Sequence, residues 1–398
     1  MKTLLNTRCK YGMFLFALIA IFSCKRDVLN GPIETSKEKP GMVTNVAVEN
    51  KSGGALLTYA LPSTEGLSYV KAMYEIRPGV KREIVSSYYS NQLLIDGINS
   101  TEEREVTIYA VTKSEVASDP VVVKIKPLKS AIQRVYESLK IIAGFGGPNI
   151  KFTNEDKGAV IIVPLIKAAD GTIKSLDKIY TQIQAGNTTI RGQEPVSTKY
   201  GFVVMDRFAN HTDTLYTDIT PYSEGMLDKS KFAAYNLPGD ATMAYGTFLS
   251  YLWDGNYNTA SWPRAFTLEG VTTPQTITID LGVTKALSRF VFFPRTESAN
   301  RYYVRANLRD FEIWASNSPS SDGSYSSWTK IATTSVVKPS GSPSGTETAE
   351  DLASALAGWQ TEFEPGLPAY RYLRIKSLRN WENTFAIMAS QIEIYGSK

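Results

Sequence analysis

From residue 41 onward the chain runs in short stretches where apolar and polar residues alternate, separated by glycine, proline, serine and asparagine. Alternation with a period of two puts successive side chains on opposite faces of an extended backbone, so each stretch predicts a half-buried β-strand. Residues 41–128 hold seven of them: TNVAVEN, ALLTYALP, SYVKAMYEIR, VKREIVSSYY, QLLIDGI, EVTIYAV and PVVVKIKPL. Gly53-Gly54 and Pro78-Gly79 mark turns between them. Val160 to Ile166 is a continuous apolar run broken by Pro164, and it predicts a buried strand with an edge or bulge at the proline rather than a membrane span. Phe202 to Thr212 reads as strand, turn, strand. Beyond residue 222, strands are predicted at PQTITIDLG, LSRFVFFPR, RDFEIWASN, SWTKIA, YRYLRIKSL and SQIEIYG. No long amphipathic helix competes with them. Ser316 to Ser327 and Lys338 to Thr346, rich in serine, glycine and proline, predict surface loops.

Seven strands in about 90 residues is the density of an immunoglobulin- or fibronectin III-like sandwich. The pattern then recurs. Pro127 and Pro221 stand 94 positions apart, Ile95-Asp96-Gly97 matches Ile190-Arg191-Gly192 at nearly that offset, and Ser118 faces Thr212. A period of that size is one whole domain, not a solenoid repeat. The fold class expected is all-β: two tandem immunoglobulin/fibronectin III-like sandwiches over 41–128 and 129–222, then a jelly-roll β-sandwich over 223–398. The tandem pair is expected to form a semi-rigid stalk.

A length of 398 residues agrees with several domains, and 43% hydrophobic with 21% charged residues is the balance of a soluble globular chain. The net charge is only +4 and no basic run carries interleaved aromatics, which argues against nucleic acid as a partner. Lys2, Arg8 and Lys10 precede an apolar stretch from Gly12 to Phe22, shorter than the roughly 20 residues a bilayer requires, so residues 1–23 read as an export signal. Ile21-Phe22-Ser23-Cys24 resembles the bacterial lipobox, which implies a lipoprotein lipidated at Cys24. Residues 24–40, polar and interrupted by prolines, predict a tether. Cys9 lies inside the segment that cleavage discards, so the mature chain would hold one thiol and no internal disulfide. Acyl chains on that thiol anchor durably, since each buried methylene contributes about 0.8 kcal/mol.

All six tryptophans fall in the last third of the chain, and Tyr251 to Trp262 (YLWDGNYNTASW) opens it. Asp254, Gly255, Asn256, Asn258 and Thr259 gather oxygen-bearing side chains about a glycine. Such a loop either converges on a hard cation such as calcium or hydrogen-bonds its own backbone. Catalytic constellations are absent from the pattern. The only histidine, His211, sits in a predicted turn without a serine or cysteine partner, and no His/Cys cluster suggests zinc or iron. Glycoside hydrolysis needs two carboxylates about 5–9 Å apart. Glu297, Asp310, Glu312 and Glu382 are available, but none stands in a catalytic context. The expectation is a protein that is not an enzyme.

The order LWDGN with a following threonine and tryptophan, PQTITIDLG, LSRFVFFPR, FEIWASN, YRYLRIKSL and QIEIYG resembles the discoidin, or coagulation-factor C-type, fold. The same galactose-binding-like sandwich underlies the family 32 carbohydrate-binding modules. The three-part layout is similar to multidomain surface lipoproteins of polysaccharide-utilisation systems. That resemblance implies an outer-membrane, surface-exposed protein that binds a polysaccharide or oligosaccharide beside a SusD-like receptor complex, touching the membrane through its lipid alone. It also implies a structural calcium held by Asp254, Asn256, Thr259 and Glu393, although alternation alone makes Glu393 equally a solvated strand residue. A sugar needs an aromatic face and planar hydrogen-bonding groups on loops. The candidates are Trp262, Arg264, Arg295, Tyr302, Tyr303, Arg305, Asn307, Trp381 and Asn383. No histidine stands in this domain, a departure from several sugar-binding relatives. The competing reading is a structural or protein-docking component of an outer-membrane complex, for which a broad apolar patch would replace the groove.

Overall fold

A strand that buries one face needs a second sheet to cover it. In the computed structural model, which describes residues 36–297 and 301–398, the alternating runs pair into facing sheets divided between two units, one ending at Leu128 and one running from Lys129 to Lys398. The export signal over 1–23, Cys24 and most of the tether lie outside the described residues. Among the described residues no helix is long and apolar enough to cross a membrane.

The first unit contains β1 (Thr44–Lys51), β2 (Gly54–Ala60), β3 (Leu67–Arg77), β4 (Val80–Ser87), β5 (Gln92–Ile95), β6 (Arg104–Thr112) and β7 (Val121–Ile125). They form one sheet in the order β1-β2-β5 and another in the order β4-β3-β6-β7. Leu57, Tyr59, Val70, Ala72, Val106 and Ile108 are buried. Each of the seven alternating runs has become one strand.

The second unit opens with α1 (Ala131–Ser138), followed by β8 (Lys140–Gly144), β9 (Gly147–Thr153), β10 (Val160–Lys167), β11 (Ile173–Ser175), β12 (Ile179–Thr181), β13 (Ala185–Thr189), β14 (Thr198–Met205) and β15 (Leu215–Ile219). One sheet runs β13-β9-β8, the other β11-β10-β14-β15 with β12 also on β10. The sequence pattern did not announce α1. Eight residues give barely two turns of a 3.6-residue period, and the helix is held by the Ser130 N-cap and by the packing of Ile132 and Val135 into the core beside Ile150 and Phe202. Pro164 corrects a second expectation, because β10 is central rather than an edge. β14 pairs along its length, while on the other side β12 takes Val160–Ile162 and β11 takes Leu165–Lys167. Pro164 sits at the seam between those partners, where its carbonyl accepts the Leu176 N–H at 2.9 Å and no strand needs its missing N–H.

The repeat is written into the hydrogen bonds. Gly53 donates to Leu128 O (3.0 Å) and accepts from the Ile98 N–H (3.0 Å). Gly146 likewise donates to Tyr222 O (2.7 Å) and accepts from Gln193 (2.9 Å). Ser118 Oγ accepts the Ala110 N–H at 3.0 Å, and Thr212 Oγ1 accepts the Val204 N–H at 3.1 Å.

The C-terminal sandwich comprises β16 (Glu224–Met226), β17 (Ala233–Ala234), β18 (Ala265–Phe266), β19 (Thr276–Phe293), β20 (Leu308–Ser316), β21 (Thr329–Ser335), α2 (Ala349–Ala357), β22 (Trp359–Glu362), β23 (Ala369–Asn380), β24 (Met388–Ala389) and β25 (Gln391–Ser397). β19 carries the architecture. Its first part pairs β23 and its last part pairs β25 and β22, so one strand of 18 residues serves both layers. Phe290, Phe292, Phe311, Ile313, Leu373 and Ile394 fill the space between them. α2 was also unforeseen, though Thr348 and Asp351 close a reciprocal capping box at its start.

Within the second unit, polar contacts join the second sandwich to the C-terminal one. Arg191, in the Ile-Arg-Gly turn of the second sandwich, donates to both Glu362 oxygens on β22 (2.7 and 2.8 Å) and to Glu224 on β16 (3.0 Å). Lys151 and Asn187 reach Glu364. The second sandwich is therefore tied to the C-terminal one by the mostly buried Arg191–Glu362–Glu224 cluster and by more exposed polar contacts around Glu364.

Candidate functional site

At one end of the C-terminal sandwich, Phe266 of β18 is buried with Ala306, Ala386 and Met388 and forms a small apolar floor. Tyr245 stacks on it at 5.3 Å, and Trp262 meets Tyr245 edge-on at 6.2 Å and 66°. Tyr245 remains 62% exposed and Trp262 49%, so together they present an aromatic corner to solvent. Guanidiniums border it: Arg295 lies 5.2 Å from the Trp262 ring centre and Arg305 5.4 Å from that of Phe266. Glu297 accepts from Arg295 and, at 3.3 Å, from Arg305. Glu269 accepts from Arg305 at 3.3 Å and from the Tyr245 hydroxyl. The acceptor carboxylate of Glu269 holds the Tyr245 phenol above its ordinary pKa. Two guanidiniums, two carboxylates and a phenol thus form a charge-balanced rim around two exposed rings.

Tyr245 (φ 55°) and Arg305 (φ 51°) both occupy the left-handed backbone region, which costs a bulky L-residue energy and persists only where surrounding structure imposes it. Here the surroundings are visible. Arg295 N–H donates to Asn307 Oδ1 (2.9 Å), while Asn307 Nδ2 donates to Arg295 O and Tyr302 O (2.8 Å each), lacing the two rim loops together.

Of the nine side chains proposed for a groove, three meet: Trp262, Arg295 and Arg305. The other six stand apart from that corner. Asn307 is fully buried as that lace. Tyr302 and Tyr303 are core residues whose N–H groups both donate to Glu347, and the Tyr303 hydroxyl donates to Asp351 O at 3.1 Å. Trp381 packs edge-on against Tyr303 at 5.1 Å under Arg309, and Asn383 is a left-handed turn residue bonded to Asn380 O. Arg264 is buried beneath the 254–263 loop. Sequence reasoning missed Tyr245 and Glu269. The only local signal was a tyrosine before a glycine and a glutamate before another, both ordinary turn chemistry.

The four side chains assigned to calcium are each engaged in other hydrogen bonds. Thr259 Oγ1 bonds Thr296 (3.0 Å) and Tyr302 (3.1 Å). Glu393 accepts from Tyr257 and from Tyr395 (2.8 Å). Asn256 Oδ1 accepts the Asn258 N–H at 3.0 Å, and Asp254 accepts the Asn256 N–H (2.8 Å), Arg264 (3.4 Å) and Gln391. This set does not fit a divalent cation, because hydrogen-bond donors, the Arg264 guanidinium among them, already occupy its lone pairs. Among the described residues no cluster of three or more His, Cys, Asp or Glu could hold a metal. Three of the four carboxylates considered for hydrolysis are engaged in ion pairs: Asp310 with Arg379 at 2.6 Å, Glu312 with Lys330 at 3.1 Å and Glu297 in the rim.

Three family models match the chain, each described as a domain of unknown function: DUF4959 over residues 40–127, DUF5126 over 128–230 and DUF5000 over 253–396. A SusE-like protein of known structure is 30% identical, over 67% of this chain and 99% of its own, with a TM-score of 0.45. A putative chitobiase fragment from Bacteroides thetaiotaomicron is 15% identical over 44% of this chain and 93% of its own, with a TM-score of 0.31. A fucose binding module from Streptococcus pneumoniae is 18% identical over 42% of this chain and 99% of its own, with a TM-score of 0.26. No curated protein matches.

Proposed function

The chain belongs to the SusE-like family by its 30% identity across 99% of that relative, and from this membership we propose that it is a non-catalytic surface protein that captures carbohydrate on the Tyr245–Trp262 corner of its C-terminal sandwich. The observation that carries the reading is the pair of exposed rings at 66° inside a rim of fixed donors and acceptors. A pyranose presents an apolar face to an aromatic ring and equatorial hydroxyls to its edges, and the rim supplies guanidinium donors and carboxylate acceptors beside the rings. Arg295 and Arg305 already answer Glu297 and Glu269, so an acidic sugar would have to displace an internal carboxylate. That balance favours a neutral glycan. Attachment to the outer membrane through lipid on Cys24, beside a SusD-like receptor, completes the proposal; Cys24→Ala should move the protein from the membrane to the soluble fraction.

The test is retardation of the full soluble chain in gels containing neutral or acidic polysaccharides. Retardation by a neutral class, lost in Trp262→Ala and in Tyr245→Gly, supports the reading. Glycine adopts the left-handed backbone of residue 245 without penalty, so the second variant removes the ring while sparing the fold. Retardation that survives both changes, or none by any glycan, refutes it and leaves the docking alternative.

A further inference from the structure

We propose that the Arg264 guanidinium is the cation around which the 254–263 loop is built, so that the loop and the Trp262 ring it carries are positioned without calcium. Arg264 is 2% exposed, and its donors spread over four loop oxygens. NH1 donates to Asp254 Oδ2 (3.4 Å) and Pro263 O (3.2 Å), and NH2 donates to Asn258 O (3.3 Å) and Ser261 Oγ. A carboxylate, two carbonyls and a hydroxyl form the kind of hard-oxygen set that calcium gathers, but here they surround a planar fork of N–H donors.

A second cation closes the other side. Lys229 Nζ donates to Gln391 Oε1 (3.1 Å) and to the Tyr257 hydroxyl (2.8 Å). The buried Gln391 amide donates to Asp254 Oδ1, and the Tyr257 hydroxyl donates to Glu393. Burial pushes the Lys229 ammonium pKa down against the pull of Glu393 and Asp254. Two carboxylates, Asp254 and Glu393, are therefore matched by two side-chain cations. A divalent ion would have to evict both cations or add two uncompensated charges, each at a substantial desolvation cost.

The positioning of Trp262 matters for binding only on the glycan reading above, but calcium independence can be tested apart from any sugar. The full chain is dialysed to equilibrium against about 10 mM calcium, enough to fill sites in the millimolar class of extracellular modules, and bound metal is counted. No calcium attributable to this loop, and equal melting temperatures in calcium and in chelator, are expected. One calcium per chain that vanishes in Asp254→Asn overturns the proposal whatever the glycan result. In a second arm Arg264→Met should lower the melting temperature by about 6 °C or more, calcium should not restore it, and Arg264→Lys should recover part of the loss. An unchanged melting temperature in Arg264→Met also overturns it. Should the methionine variant fail to fold, the dialysis of the unaltered chain still decides.

Discussion

Replacing Arg191 with methionine tests how firmly the second sandwich is joined to the C-terminal one. Arg191 is 22% exposed at its side chain, against 16% for Glu362 and 10% for Glu224. Without the guanidinium, Glu224 retains Ser288 (2.6 Å) and Arg289 (3.4 Å), whereas Glu362 retains only the Thr189 hydroxyl at 3.3 Å. Breaking a buried pair from one side costs about 3–5 kcal/mol, and partial exposure places this case near 3 kcal/mol. For a unit of this size about 2 °C accompanies each kcal/mol, so a drop of about 6 °C is expected in the transition of the second unit, followed by circular dichroism. Glu362→Gln on the Arg191→Met background should recover about 2 kcal/mol, because it removes the stranded charge. The surface pair Lys199–Asp218, at 3.7 Å and about half exposed, is the control: Lys199→Ala should change stability by less than about 0.5 kcal/mol. A drop under about 1 °C for Arg191→Met, or a double variant as unstable as the sum of its parts, would refute the argument.

Trp381→Ala should cost about 3 kcal/mol of stability in denaturant unfolding, since the ring packs on Tyr303 and Trp359, whereas Trp262→Ala should leave stability within about 0.5 kcal/mol and weaken glycan binding about tenfold or more. Asp351 is pulled down to about 2: burial raises its pKa, but the Thr348 and Ser340 N–H groups and hydroxyls outweigh that effect. A depressed carboxylate stabilises above its unfolded value of about 3.9 and loses that contribution as pH falls toward 2, so denaturant midpoints should drop between pH 4 and 2. Asp351→Asn should flatten that part of the profile, and an unchanged slope would contradict it. Gly147→Ala would bring a Cβ to 1.6 Å from Ile190 O, and Gly54→Ala to 1.8 Å from Ile95 O. Each should destabilise its own sandwich by about 3 kcal/mol in thermal unfolding, with the other sandwich unaffected.

Strand identity was legible because it depends on local order. A period of two assigns each side chain to a face without knowledge of what covers it, and so all seven runs of 41–128 became strands. The repeat was legible for the same reason. Ser118 and Thr212, or Gly97 and Gly192, answer demands made within a few residues of themselves, and the same demand selects the same residue type twice. The two short helices and the central place of Pro164 were not legible, since each depends on a partner supplied by distant chain.

Function divides along the same line. Trp262, Arg295 and Arg305, which the fold gathers at one corner, stood out in sequence because aromatic and guanidinium groups in loops are conspicuous, but Tyr302, Tyr303 and Asn307 looked just as promising and were folded inward. Only tertiary packing decides which side of a loop residue faces water, because that depends on Phe266, Glu347 and Asp351 arriving from elsewhere. The same holds for the Asp254 loop. Its oxygens are local and were readable, whereas the cations that answer them were not: Arg264 turns back beneath the loop and Lys229 arrives from before it. Sequence determined the strands, the repeat and the kinds of chemistry available. The fold determined which of those groups meet, since a charge or a ring acquires its role from neighbours that chain order does not specify.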